Sequence, residues 1–354
     1  MNVKHVNTSS NKCDGCGNNL IFNPEIKALQ CPSCLSVKNI ESGSQYAKHA
    51  FNFNEPEIDK NEQWANKSKA MKCSNCGASV VLNGFEVSAT CPYCDTALVS
   101  SGSSNAKIKP DAVIPFAFGS EKATQIFKNK IKNNWFVPKA LKQKISPESI
   151  HTYYFPAFVY DARCHTKYEG TLYTEHTVRD SNGHTSTHRR YFPIRGMLDT
   201  THNNIEVEAS TKIEQTELSL VKPYNFSEAK NFSNDYIAGY SAECYSSSVK
   251  ETFSYAKALI KNQIKHNVLK RYSYDGVSSL NLQTTYVSQN YSYFLLPMYR
   301  INFSYKGKKY TNVINGQTGV VGGTVPKSGW KIALTVIGPI LIILLPIILA
   351  LIFN

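Results

Sequence analysis

The chain has no G-x-x-x-x-G-K-[ST] loop, no H-E-x-x-H pair, no G-x-S-x-G elbow and no dinucleotide fingerprint. Recognisable P-loop, zincin, hydrolase-elbow and Rossmann chemistry is therefore excluded. The first 20 residues are polar, so no secretory signal is expected and thiols are expected to stay reduced. A mean hydropathy of −0.31 excludes a polytopic membrane protein, and 42% hydrophobic residues argue against a wholly disordered chain. Acidic residues are few, 26 against 39 Lys and Arg, which leaves a formal net charge of +13. At 354 residues the chain is long enough for two or three folded units.

Cysteine, by contrast, is abundant. Eight of the ten cysteines form four C-x-x-C pairs: Cys13/Cys16, Cys31/Cys34, Cys73/Cys76 and Cys91/Cys94. The second half repeats the first at an offset of 60, and Lys12/Lys72, Gly17/Gly77 and Pro32/Pro92 follow the same offset. Two thiolates on one tight turn occupy two corners of a tetrahedron, and a hairpin returns a second turn to fill the others. Leu20-Ile21-Phe22 and Val80-Val81-Leu82 suit the short strands between them. A unit of ~30 residues cannot build a sufficient core, so metal must supply folding free energy, ~10–16 kcal/mol for structural zinc. An all-cysteine set leaves no position open for substrate, which favours two structural zinc ions over catalytic ones. A rubredoxin-like iron site uses the same pairs, but the C-G and C-P knuckles match a zinc ribbon more closely. Cys164 and Cys244 stand alone and read as buried bystanders.

One long apolar run is present. Ile332 to Phe353 gives 22 residues without a charge, ~33 Å as a helix against a ~30 Å hydrocarbon core. Lys327, Trp330 and Lys331 precede it, as interface anchors would. Six cations and no acid in residues 300–331 predict a single C-terminal transmembrane helix at an anionic inner leaflet, in the cell membrane, with the N-terminal bulk cytoplasmic.

The domain plan follows: a disordered 1–11, zinc ribbon 1 at 12–38, a linker at 39–71 with a short helix near 57–69, and zinc ribbon 2 at 72–99. A linker at 100–110 leads to an α+β domain at 111–325 and a juxtamembrane and transmembrane segment at 326–354. Ser120 is read as the N-cap of a helix over 121–134. Val249, Phe253, Ala256, Ile260, Ile264 and Val268 form a helical stripe. Residues 153–178 favour strands, Asp180-Ser181-Asn182-Gly183 a hairpin turn, and further strands are expected at 282–288, 292–305, 308–315 and 318–322. The fold class expected is multidomain: two small β ribbons, an α+β domain with mainly antiparallel sheet on a long helix, then one membrane helix.

Chemistry in the central domain is sparse. His176, His184 and His188 surround the hairpin turn and read as a solvated hairpin rather than a second kind of metal site. Glu206 and Glu208 alternate and share a face, and read as a polar sheet face rather than a catalytic pair. Lys122, Lys128, Lys130, Lys132, Lys139, Lys142 and Lys144 against Glu121 and Glu148 read as a solvated or headgroup-facing surface. No catalytic or cofactor-binding residue beyond the eight metal ligands is assigned.

The two K-C-x-x-C-G … C-P-x-C frames resemble TFIIB-type zinc ribbons. VIPFAF (113–118), WFVPKALK (135–142), YYFPAFVYDA (153–162) and LLPMYRINFSYKGKKYTNVINGQTGVVGG (295–323) resemble bacterial membrane-anchored TFIIB-type zinc-ribbon proteins, the YdjG-like group of Gram-positive bacteria. The resemblance implies zinc at the eight cysteines, no catalytic residue, and a membrane-stress setting with flotillin-like or phage-shock-type membrane proteins as partners. The function expected is a non-enzymatic, tail-anchored protein whose tandem ribbons recruit protein partners, as a hetero- or homo-oligomer. Nucleic-acid binding is the first rival, disfavoured because ribbon 1 sets only Lys12, Lys27 and Lys38 against Asp14 and Glu25, and ribbon 2 Lys72 against Glu86 and Asp95. An enzyme without a recognisable motif is the second.

Overall fold

The computed structural model describes residues 12–41, 43–51, 69–72, 77, 79–82, 88–90, 97–99, 109–142, 150–179, 185–210, 219–335 and 337. The N-terminal strands are β1 (Ile21–Asn23), β2 (Ala28–Gln30), β3 (Val37–Lys38), β4 (His49–Ala50), β5 (Lys69–Lys72), β6 (Ser79–Leu82), β7 (Ser88–Thr90) and β8 (Ala97–Val99). Then come β9 (Ala112–Val113), α1 (Ser120–Asn133), α2 (Lys139–Lys142), β10 (Ile150–Arg179), β11 (Thr185–Glu208), β12 (Lys230–Asn231) and β13 (Ser241–Glu243). α3 (Val249–Leu269), β14 (Gly276–Tyr305), β15 (Lys308–Asn315) and β16 (Val321–Gly323) follow.

Three long strands carry the architecture. β10 lies between β11 and β14, antiparallel to both, paired from Ala157↔Glu208 to Arg179↔Thr185 and from Ile150↔Ile301 to Tyr173↔Gly276. These segments are rich in Tyr, Phe, Val and Thr, whose side chains pack on a pleated surface. β15 and β16 extend the sheet beyond β14, and β9 and β4 pair with β14 further back.

α3 covers one face of the ladder. Ser248 and Glu251 form a reciprocal capping box at its start. Val249, Phe253, Ala256, Ile260, Ile264 and Val268 are all buried, so the stripe read from the sequence is the face turned to the sheet. Tyr160 anchors the helix N-terminus: its hydroxyl donates to the Val249 carbonyl at 2.9 Å and meets Thr252 Oγ1 at 2.7 Å.

Both cysteine frames begin on antiparallel pairs offset by 60. Lys12↔Asn19 in the first matches Lys72↔Ser79 in the second, and Leu29↔Lys38 and Gln30↔Val37 match Ala89↔Leu98 and Thr90↔Ala97. β6 also pairs with β13, which pairs in parallel with β10.

Several expectations are corrected. Among the described residues the fold is mostly antiparallel sheet with few helices and no membrane helix, not the expected α+β domain followed by a membrane span. The apolar text at 276–305 is one continuous strand, because no residue between 282–288 and 292–305 breaks extended backbone. The N-cap of α1 is Gly119, with Ser120 inside the helix. Among the described residues no helix is long and apolar enough to cross a membrane. Most of the apolar run, residues 336 and 338–354, lies outside the described residues, as do 52–68 with most of the expected linker helix, and the hairpin turn at 180–184. Where the run begins, residues 329–335 are helical, and all of them but Lys331 are exposed. Lys331, expected as an interface anchor, is buried and donates to the Trp135 carbonyl at 2.6 Å and the Val137 carbonyl at 3.3 Å. Single-pass placement in the cell membrane, tail anchoring and the orientation built on them therefore have no support.

Phe253 packs against Tyr160 at a ring separation of 5.3 Å and Tyr286 at 5.8 Å. Phe253→Ala is expected to cost about 3–5 kcal/mol, read as a lower urea midpoint with an unchanged m-value.

Candidate metal centre

The first frame closes into a tetracysteine site. In the first knuckle the Gly17 N–H donates to the Cys13 carbonyl at 2.8 Å, and the Cys13 N–H to Asn18 at 2.7 Å. Gly17 sits at φ +71, where a glycine costs least. In the second knuckle the Leu35 N–H donates to the Cys31 carbonyl at 3.0 Å, and the Cys31 N–H to Ser36 at 2.9 Å. Here the left-handed residue is Leu35, at φ +62.

The Sγ atoms of Cys13, Cys16, Cys31 and Cys34 all lie within 4.8 Å of one another. The cross-knuckle pairs Cys13–Cys34 and Cys16–Cys31 are each 3.4 Å apart. That is too long for a disulfide, ~2.05 Å, and close to the ~3.8 Å edge of a tetrahedron with ~2.3 Å zinc–sulfur bonds. The four residues can hold one metal ion, and the all-sulfur donor set fits zinc.

The electrostatics agree. The Ser36 hydroxyl, 3.1 Å from Cys34 Sγ, holds that thiol down to about 6, with the Ser36 N–H adding to it. The Cys16 N–H lowers Cys13 in turn. The Asn18 N–H pulls Cys16 down, but the Cys31 and Cys34 thiols outweigh it and push Cys16 up to about 12. Four adjacent thiols resist ionising together, and a divalent cation removes that resistance.

The ribbon is seated on the central sheet, which the sequence reading of separate domains missed. The Phe22 N–H donates to the Ala238 carbonyl at 2.9 Å. Its buried ring meets Tyr236 edge-on at 5.5 Å and Tyr240 at 6.3 Å. Tyr240 stacks on Phe116 at 4.8 Å, and Phe116 meets Tyr154 of β10. Gly239, at φ +83, lets the ribbon approach: a Cβ there would stand 2.9 Å from Ile21 Cγ2. The sequence signal was local, an apolar Leu20-Ile21-Phe22 run too long for a hairpin that buries only its own knuckles.

The other candidates fare differently. Cys73, Cys76, Cys91 and Cys94 lie outside the described residues. Cys164 and Cys244 are buried, and burial pushes their thiols up to about 11 and about 12, as neutral core groups. His176 and His188 are cross-strand partners on an exposed ladder, and His184 lies outside the described residues. Among the described residues the four cysteines are the one cluster of three or more metal-ligating groups. Glu206 and Glu208 are buried, which corrects their reading as a polar face. Burial raises Glu206, opposed by Lys222 Nζ at 3.6 Å. In the basic stretch, Lys142 donates to the Lys132 carbonyl at 2.8 Å and Lys130 to the Val321 carbonyl, so part of it serves the fold; Lys144 and Glu148 lie outside the described residues.

Two outcomes follow. Gly239→Ala is expected to push Ile21 away and speed hydrogen exchange at the Phe22 amide, while bound metal is retained. Protons compete with metal for the thiolates, so metal retention falls as pH drops, and the Ser36 hydrogen bonds that hold the Cys34 thiol down oppose that release. Ser36→Ala raises the Cys34 thiol and moves metal release to higher pH, read with a chromogenic chelator.

No family model matches the chain, and no solved structure matches it. It is 28% identical over 327 residues to "Uncharacterized protein YdjG" of Bacillus subtilis (strain 168), an alignment covering 92% of each chain. The similarity therefore extends past the cysteine frames through the sheet.

Proposed function

We propose that the chain is a non-enzymatic docking protein whose two zinc-ordered ribbons, of TFIIB type, recruit or scaffold protein partners from an antiparallel sheet platform. The carrying observation is the first ribbon. Its metal set is closed with four thiols, which leaves no coordination position for a substrate. One of its faces is taken by Tyr236 and Tyr240, while Leu35 and Val37 are exposed on the remainder.

A second structural zinc at Cys73, Cys76, Cys91 and Cys94 belongs to this proposal. The strand registers around it repeat those of the first site at an offset of 60. Gly77 takes φ +72 where Gly17 takes +71, the backbone turn that the first knuckle uses.

A second reading, nucleic-acid binding, is favoured by one feature. Arg179, Arg189 and Arg190 are spread along the far end of the β10–β11 ladder, with Arg189 over the Tyr173 ring at 4.5 Å and paired with Glu175 at 2.9 Å. The two readings part in a single capture experiment on the full chain, with and without nuclease, against Cys31→Ser. Protein partners that survive nuclease and are lost with Cys31→Ser support docking. Partners that vanish with nuclease and survive Cys31→Ser, with binding that falls steeply with salt, move the function to the arginine-bearing end.

A further inference from the structure

The four thiols of the first ribbon are not equivalent. Cys13 and Cys31, the first cysteine of each knuckle, are buried, while Cys16 and Cys34, the second of each, are exposed. The turn itself sets this difference. Cys13 and Cys31 join the buried cluster with Leu20, Phe22 and Leu29. Cys16 and Cys34 each precede the left-handed residue that turns the chain back, Gly17 and Leu35.

Two close sulfur pairs run between the knuckles, and each joins one thiol of either kind. Cys34 Sγ lies 3.4 Å from Cys13 Sγ, and Cys16 Sγ lies 3.4 Å from Cys31 Sγ. Each thiol that solvent reaches therefore has a shielded thiol directly behind it. Exposed thiols beside a second thiol are the ones that oxidants convert to disulfides. Cys34 also has the Ser36 hydroxyl 3.1 Å from its sulfur, a contact that favours the thiolate. Cys164 and Cys244 are buried, out of reach of the same oxidant.

We propose that Cys34 is a site of oxidative modification, at which a hydroperoxide opens the metal set by coupling Cys34 to Cys13. The Cys34 thiolate attacks one peroxide oxygen: the S–O bond forms, the O–O bond breaks, and the other oxygen leaves as hydroxide. The Cys13 thiolate then attacks the sulfur of the resulting sulfenic acid. The S–S bond forms, the S–O bond breaks, and a second hydroxide leaves. Each thiolate loses one electron, and the peroxide takes both. The two sulfurs close from 3.4 Å to ~2.05 Å. Cys16 and Cys31 then offer only half of a tetrahedral set, too few to hold a structural ion. The new bond ties the same two knuckles together, so the hairpin stays closed as the metal leaves. The inference rests on reading the first four cysteines as a metal site and is independent of the docking role.

The test uses the full chain with the metal it purifies with, and hydrogen peroxide as oxidant. Bound metal is measured before peroxide is added, and a chromogenic chelator then follows its release. Dimedone traps the sulfenic acid. Trypsin cuts after Lys12, Lys27 and Lys38, so Cys13 and Cys16 fall in one peptide and Cys31 and Cys34 in the next. A cross-knuckle disulfide joins the two peptides, and one within a knuckle does not. The expected result is a dimedone adduct on Cys34, a bond that fragmentation places at Cys13–Cys34, and metal release about tenfold faster than without peroxide. Dithiothreitol with added zinc restores the bound metal. Disulfides within the knuckles, adducts on Cys13 or Cys31, or thiols that stay reduced under excess peroxide while metal stays bound each overturn the inference. A chain that carries no metal before peroxide is added strikes the metal reading itself, and the inference with it.

Discussion

The meeting of four thiols from two knuckles, a set that can hold one metal ion, is the constraint on which the first ribbon depends. A segment of ~30 residues buries too little to order itself. Four cysteines brought within 4.8 Å fix the ends of β1, β2 and β3. The Phe22 face of that hairpin meets Tyr236 and Tyr240. Cysteine set, hairpin and sheet form one series of contacts.

The central ladder supplies the other half of that series. β10 is paired along both edges, and the segment that returns alongside it meets both frames. Tyr236–Ala238 receives Phe22, and Ser241–Glu243 pairs with β6. The ribbons are therefore set in relation to one short stretch of backbone, Asn234–Glu243. Cys13, Leu20, Phe22, Leu29 and Cys31 of the first ribbon belong to the same buried cluster as Tyr154, Tyr160 and the α3 stripe.

Much of this was legible in the residues. Cysteine spacing pointed to the first four-cysteine site, because coordination fixes residue type and spacing together; the cysteines of its repeat lie outside the described residues. The α3 stripe was legible because one residue set satisfied one period. What was not legible had tertiary causes. Phe22 sits in a three-residue strand, too short for alternation to say which face is buried or against what. Glu206 and Glu208 read as solvated because their burial comes from the distant Val221–Tyr224 segment. The apolar run after Lys331 matched a span in length, but apolar length does not say what surrounds a helix, and Lys331 itself is held by the 135–137 turn.

Sulfur-only coordination of zinc, in both frames, is the central claim. The most direct measurement is metal analysis of the full chain with X-ray absorption at the zinc edge. The account predicts two zinc ions per chain, each with four sulfur neighbours at ~2.3 Å and no nitrogen or oxygen in the shell. A single ion per chain, iron in place of zinc, or a shell with a light-atom ligand that leaves an exchangeable position would contradict it.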